Sequence, residues 1–342
     1  MRVIVDAMSG DNAPQMIVEG ALAAAVAGDA EIIFTGNEEI INNCAGALGY
    51  PRLPTGVTIV NASEIIEFED DPATAIRQKK DSSLTVGLNL LRDGSGDAMV
   101  SAGNTGALLS GATLIIKRAR GIRRAALAPL IPNSAGGFIL IDCGANSECS
   151  PEYLLQFAYM GSYYAEDVMG LESPRIGLLN NGTESTKGTP LQLETYSLLE
   201  SASNDKSLNF IGNIEAGDAI KGTCDVLVSD GFTGNILLKT LEGTAELILT
   251  ELKNIYKSST TSKLSAILIR KKLGKLKKKM SADTIGGTML LGIAKPVIKA
   301  HGASNAAAIR NAVRQAARAA SSDTTARLEE SIGKIKSVHG AD

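Results

Sequence analysis

From its first residues the chain alternates two patterns. Short runs of β-branched and aliphatic residues break off into glycine, asparagine, serine or aspartate, and segments of helical period follow. RVIVD (2–6), EIIFT (31–35), VTIV (57–60), AMV (98–100), GFILID (137–142), RIGLL (175–179), LNFI (208–211) and VLVSD (226–230) are continuous apolar runs, which predict strands buried on both faces. Residues 14–27, 38–48, 105–118, 152–169 and 192–201 carry helical period, with Pro14, Pro151 and Pro190 suited to first turns. Repeated β-then-α units imply an α/β fold with a mainly parallel sheet and flanking helices. Beyond Asp230 the pattern predicts helix to about residue 320, giving a helical C-terminal third. The reading is one unit over 1–325, of one or two lobes, followed by a flexible tail at 326–342.

Composition narrows the class. With 342 residues and 44% hydrophobic content, the chain can bury roughly three quarters of its unfolded surface. Trp is absent and aromatics total 4%, so the core is aliphatic, while 35 glycines suit tight loops. Cys44, Cys143, Cys149 and Cys224 show no ligand-pair spacing, which reads as reduced thiols with no metal. No run approaches a membrane span and the N-terminus lacks a secretory pattern, so a cytoplasmic protein is expected.

Chemistry gathers where the strands end, because the carboxyl ends of a parallel sheet form its ligand crevice. VDAMSGDNAP (5–14) sets Asp6, Gly10, Asp11 and Asn12 there, as turn formers or as ligands. SAGNTGA (101–107) offers Ser101, Asn104 and Thr105 with Gly103 and Gly106 ahead of a helix, a setting for an anion or a structural turn. It has neither the Lys-Ser/Thr ending of a P-loop nor a GxGxxG spacing. IDCGANSE (141–148) adds Asp142, Gly144 and Asn146, with Cys143 read as a buried thiol rather than a nucleophile. LLNNGTESTKG (178–188) adds Asn180, Gly182, Glu184 and Lys187, the lysine facing phosphate or solvent. SDGFTGNILLKTLEG (229–243) places Asp230, Thr233 and Asn235 at a turn and Lys239 on the helix beyond it. KAHGASN (299–305) holds His301, one of two histidines, as proton donor, phosphate ligand or structural residue.

These motifs, with DCGANSECSPEYLLQFAYMG (142–161) and GTMLLGIAKPVIKAHGASN (287–305), resemble in order the bacterial phosphate acyltransferases, the acyl-acyl carrier protein:phosphate transacylases. The resemblance covers about residues 2–310, with Ser9 in place of a usual glycine and Thr183 in place of a common acidic residue. It implies a fold like phosphotransacetylases and isopropylmalate-dehydrogenase-type proteins, and a homodimer. It also implies reversible transfer of a long-chain acyl group from acyl carrier protein to inorganic phosphate, giving acyl phosphate for phospholipid synthesis. No cofactor is expected.

For that reaction Ser101, Gly103, Asn104, Thr105, Gly106, Asp230, Thr233 and Asn235 are candidate phosphate ligands, alongside the cation Lys187. Asn146 and Asn180 are candidates to orient the thioester carbonyl, and His301 or Lys239 to assist the sulfur. Competing readings are a short-chain transacylase using coenzyme A, a dehydrogenase of related fold, and a non-catalytic scaffold.

Net charge is −3, yet residues 253–279 hold ten of the 34 basic residues and no acid, so the remainder, with 24 basic against 37 acidic residues, carries −13. KLSAILIRKKLGKLKKKM (263–280) sets Leu264, Ile267 and Leu268 among Arg270, Lys271, Lys272 and Lys275. This basic helical element is expected to contact acyl carrier protein, an anionic membrane surface or the dimer partner. Nucleic acid is disfavoured because no aromatics interleave the charges.

Overall fold

A computed structural model describes residues 1–263, 265, 269, 271–274 and 286–339. Its strands are β1 (Arg2–Asp6), β2 (Glu31–Gly36), β3 (Val57–Asn61), β4 (Ala98–Ser101), β5 (Ala126–Ala128), β6 (Leu130–Ile131), β7 (Phe138–Ile141), β8 (Ile176–Leu179), β9 (Phe210–Ile214), β10 (Val226–Val228), β11 (Thr288–Leu291) and β12 (Val297–Lys299). Its helices are α1 (Gln15–Val26), α2 (Glu38–Ala47), α3 (Ala75–Gln78), α4 (Ser83–Arg92), α5 (Thr105–Gly111), α6 (Pro151–Met169), α7 (Pro190–Asn204), α8 (Ala216–Lys221), α9 (Gly231–Lys257), α10 (Ala306–Ala320) and α11 (Thr324–His339).

Two sheets result. One runs β3-β2-β1-β4-β12-β11-β5, the other β6-β7-β10-β8-β9. In the first, β3, β2, β1, β4 and β12 are parallel and β11 is antiparallel to both its neighbours. In the second, only β6 is antiparallel. Consecutive residues Val3, Ile4 and Val5 are all inaccessible to solvent, as a strand covered on both faces requires. One group of buried side chains runs from Val3 and Phe34 through Ala126 and Met160 to Val228, so the two sheets share a core.

Helix packing sets which loops meet. On α10, Ala308, Ile309, Ala312, Val313 and Ala316 form a buried stripe. A Cβ at Gly20 of α1 would stand 2.4 Å from the Ala306 carbonyl oxygen, so a side chain there would push the two helices apart. Their closeness carries the chain entering α10 onto the loop entering α1. In the second sheet, Gly161 of α6 plays the same part, since a Cβ there would meet Val226 of β10 at 2.5 Å.

The first eight apolar runs are strands, with LNFI (208–211) displaced: the strand is Phe210–Ile214, and its pairing with β8 is irregular between Ile176 and Leu178. The helix expected over 105–118 is α5 followed by a π-helical turn, Ala112–Ile116, which ends at Lys117 with φ 73°. The helical C-terminal third also contains β11 and β12. Both are short apolar runs bracketed by Gly286, Gly287, Gly292 and Pro296, and pairing inside the sheet outweighs the helical neighbourhood. The stretch read as a tail from 326 forms most of α11, because Leu328 and Ile332 are buried and Arg327 pairs with Glu166 and Asp167 of α6.

Candidate active site

The carboxyl ends of β1, β4 and β12 form one corner, built from loops 7–14, 101–106 and 300–305. The backbone joins them directly: the Asp11 amide donates to the Gly302 carbonyl at 2.9 Å, and Ala300 donates to Ser101 at 2.9 Å. The Asn12 side-chain amide donates to the carbonyls of Ala303 and Ser304, at 3.1 and 3.3 Å. Residues some 200 to 290 positions apart in the sequence therefore share one surface.

Asp6 is fully buried at the base of this corner and accepts from the Ser101 hydroxyl at 2.7 Å. Burial raises its pKa, and the surrounding Ser83, Ser101 and Ser9 hydroxyls oppose that shift. The Ser9 and Ser83 hydroxyls nevertheless close no hydrogen bond of full geometry, and neither does the buried hydroxyl of Ser304. Lys299, at the end of β12, is 9% exposed. Its ammonium donates to the Ala102 and Ala300 carbonyls at 3.4 and 2.5 Å. Desolvation lowers its pKa to about 8, while the charges of Asp11 and Asp6 pull it upward. The two shifts agree physically, because burial disfavours each charge alone.

Several candidate ligands are already committed here. Ser101 also accepts from the Gly103 amide. Asn104 caps α5 through the Ala107 amide and donates to the carbonyls of Glu67, Phe68 and Asp70. Thr105 is exposed, and Gly106 packs on Pro72, where a Cβ would meet the ring at 2.7 Å. His301 is exposed; its Nδ1 accepts from the Ala303 amide at 3.2 Å, which puts the proton on Nε2.

A second group lies at the ends of β7 and β10. Asp142 is buried and accepts from the amides of Leu127, Cys143, Ala145 and Asn146 and from the Asn146 side chain. Burial raises its pKa against the pull of those donors. Asn146 spends its remaining side-chain N–H on the Ala125 carbonyl, so it shapes the loop rather than facing outward. Asp230 caps α9, accepting from the Thr233 amide and hydroxyl, both at 2.8 Å. A Cβ on Gly234 would come within 1.9 Å of the Asp142 carbonyl oxygen, so α9 starts directly against the Asp142 loop. Asn235 is exposed beside Gly144. Burial pushes the Cys143 thiol far above its ordinary range and Cys149 to about 12, which removes both as thiolate nucleophiles.

Lys239 lies nine residues into α9 from its cap, about 13 Å along the axis. It is exposed, pairs with Glu242 at 2.7 Å, and is within electrostatic reach of Cys143. On the same sheet edge, β8 ends in loop 180–188. Asn180 accepts from Asn181 and donates to the Lys187 carbonyl, while the Lys187 side chain is exposed. Buried Asn213 of β9 donates to the Glu184 carbonyl at 2.8 Å and fixes this loop from beneath.

Reading by sequence missed Lys299, Ser83 and Asn213. The first sits in an unmarked strand, and the other two acquire their roles only through packing. Leu264, Ile267, Leu268, Arg270 and Lys275 lie outside the described residues, whereas Lys271 and Lys272 are exposed. Among the described residues no group of three His, Cys, Asp or Glu side chains could hold a metal, and no helix is long and apolar enough to cross a membrane.

Two mainly parallel sheets with polar loops at their strand ends place the chain among α/β enzymes of the phosphotransacetylase fold. A phosphotransacetylase from Streptococcus pyogenes superposes with a TM-score of 0.65 at 20% identity, over 94% of each chain. A 4-hydroxythreonine-4-phosphate dehydrogenase from Burkholderia phymatum gives 0.52 at 13%, over 93% of this chain and 97% of its own. The family described as "Fatty acid synthesis protein" matches residues 1–327. A phosphate acyltransferase of Oceanobacillus iheyensis is 45% identical over 98% of this chain and 99% of its own length, and one of Bacillus subtilis is 42% identical over the same shares. The chain belongs to this phosphate acyltransferase family and is an acyltransferase.

Proposed function

We propose that the chain transfers a long-chain fatty acyl group reversibly from the thioester of acyl carrier protein to inorganic phosphate, supplying acyl phosphate for phospholipid synthesis. The observation that carries this reading is the convergence of VDAMSGDNAP, SAGNTGA and KAHGASN in one corner that combines small residues, hydroxyls and a buried ammonium.

In the reaction a phosphate oxygen attacks the thioester carbonyl carbon, the C–S bond of the tetrahedral adduct breaks, and acyl phosphate leaves with the carrier thiol. Phosphate is already anionic, so the protein chiefly supplies charge compensation and position, the latter worth about 7 to 11 kcal/mol in well-oriented cases. Thr105 and the backbone amides of 104–106 are the groups left to hold phosphate, with Ser101, which takes the Gly103 amide, and Asn104 shaping the loop around it. Lys187, and the Asp230–Thr233–Asn235 turn, extend the polar surface on the second sheet. His301, with its proton on Nε2, is the preferred hydrogen-bond donor to the leaving thiolate, which takes the proton that completes the thiol from the newly formed acyl phosphate or from solvent; Lys239 is the weaker candidate because Glu242 already holds it. Asn180 and Asn146 orient the carbonyl through the loops they shape.

Helix α9 supports a homodimer, since it buries only Gly231 and Gly234 and leaves Phe232, Ile236, Leu247, Ile248 and Ile255 exposed. The basic element that follows is the proposed contact for acyl carrier protein and an anionic membrane.

The test is incubation of pure protein with long-chain acyl-acyl carrier protein and phosphate, without nucleotide, trapping product as the hydroxamate. Phosphate-dependent hydroxamate is expected. Product only from acyl-coenzyme A would move the reading to a coenzyme A transacylase, and binding without product to a scaffold.

A further inference from the structure

We infer that Lys299 is the cation of the phosphate subsite, an assignment that rests on the transfer of acyl groups to phosphate. Its ammonium bridges two of the three loops in the corner, through Ala102 of loop 101–106 and Ala300 of loop 300–305. An ammonium has three N–H donors, and among the described residues the third has no partner. Asp6 and Asp11 lie within electrostatic reach, yet neither closes an ion pair with it among the described residues. Lysines this deeply buried are ordinarily paired. The hydroxyl of Ser304, in the loop that follows Lys299, is also buried and closes no hydrogen bond among the described residues, while that of Ser9 has only the Asp6 carboxylate to act on. Ser9 packs against Gly103, where a Cβ would meet its own at 2.8 Å, and Ser304 follows the His301 turn. A buried cation with a spare N–H and no closed ion pair, in a corner whose loops also carry a hydroxyl without a partner, has the donors to take an oxyanion. The acceptor of this reaction is one.

The charged groups acting on Lys299 are Asp11 from loop 7–14 and Asp6 from β1, and exposed His301 lies two residues further along the chain. Only Lys299 turns from cation to neutral amine on approaching alkaline pH while phosphate remains a dianion. The KM for phosphate is therefore expected to rise above pH 8 in the wild type, with the KM for the acyl donor little changed. Lys299→Arg, which stays charged, should abolish that rise. Lys299→Met should raise the phosphate KM about 10- to 100-fold at pH 7, the range for a lost hydrogen bond to a charged group.

A flat phosphate KM between pH 7.5 and 9.5 in active wild type overturns the assignment, even if Lys299→Met fails to fold. So does a folded Lys299→Met whose loss falls on kcat alone. Wild-type protein that makes no acyl phosphate refutes the underlying function, and this is read before any variant.

Discussion

Replacing Lys299 by methionine should make the protein more stable while impairing it as an enzyme. Burial lowers Lys299 from an ordinary 10.5 to about 8. At about 1.4 kcal/mol for each tenfold change in proton affinity, holding the ammonium inside at pH 7 costs roughly 3 kcal/mol. Losing its two bonds to carbonyls takes back about 2 kcal/mol, at about 1 kcal/mol each, because those carbonyls would keep no such donor. Methionine fills similar volume without a charge, so a net gain of about 1 kcal/mol is expected. The pH dependence carries the sign. Native Lys299 releases its proton near 8 and the unfolded chain only near 10.4, so between these values the unfolded state binds one more proton. Wild-type stability therefore gains a rising contribution across that window, and the advantage of the variant fades there. Urea titrations of both proteins from pH 6 to 10.5 give the difference directly. A variant no more stable than wild type at pH 7, or a difference independent of pH, would refute the reasoning.

Other outcomes follow from the second group of loops. Asp142→Asn leaves one oxygen to accept where two now serve five donors, and turns an NH2 toward amides; a loss of about 2 to 4 kcal/mol is expected in urea. Gly234→Ala puts a methyl into the Asp142 carbonyl and should cost about 3 kcal/mol or more, read as a lowered Tm. Cys143→Ala should retain kcat and acyl-phosphate yield, since the thiol is buried and held neutral; an inactive, folded variant would contradict this. Lys187→Ala should raise the phosphate KM without lowering Tm, because its side chain is exposed.

The sequence made the strand ends legible because β-branched runs stop sharply at glycine, asparagine and aspartate. That pattern was enough to name Asp6, Ser101 and His301, which the fold brings together. It was not enough to say which polar side chains face a ligand. Asn104 and Asn146 are suitable donors by type, yet their amides are spent on carbonyls from segments remote in sequence. Lys239 was legible as a cation of helical spacing, but not its pairing with Glu242. Lys299 was illegible for another reason. Its strand is three residues long, lies between β4 and β11 in the first sheet, and acquires burial only from those neighbours and the loops above it. Leu328 and Ile332 likewise form an apolar pair one turn apart within a polar stretch, and only contact with the core turns that stretch into a helix.

The most direct measurement uses phosphate labelled with 18O in all four oxygens, with long-chain acyl-acyl carrier protein as donor. Attack by phosphate oxygen on the thioester carbon requires acyl phosphate that retains the complete label, with one free carrier thiol per molecule formed. Consumption of thioester to free fatty acid without labelled acyl phosphate would contradict the account.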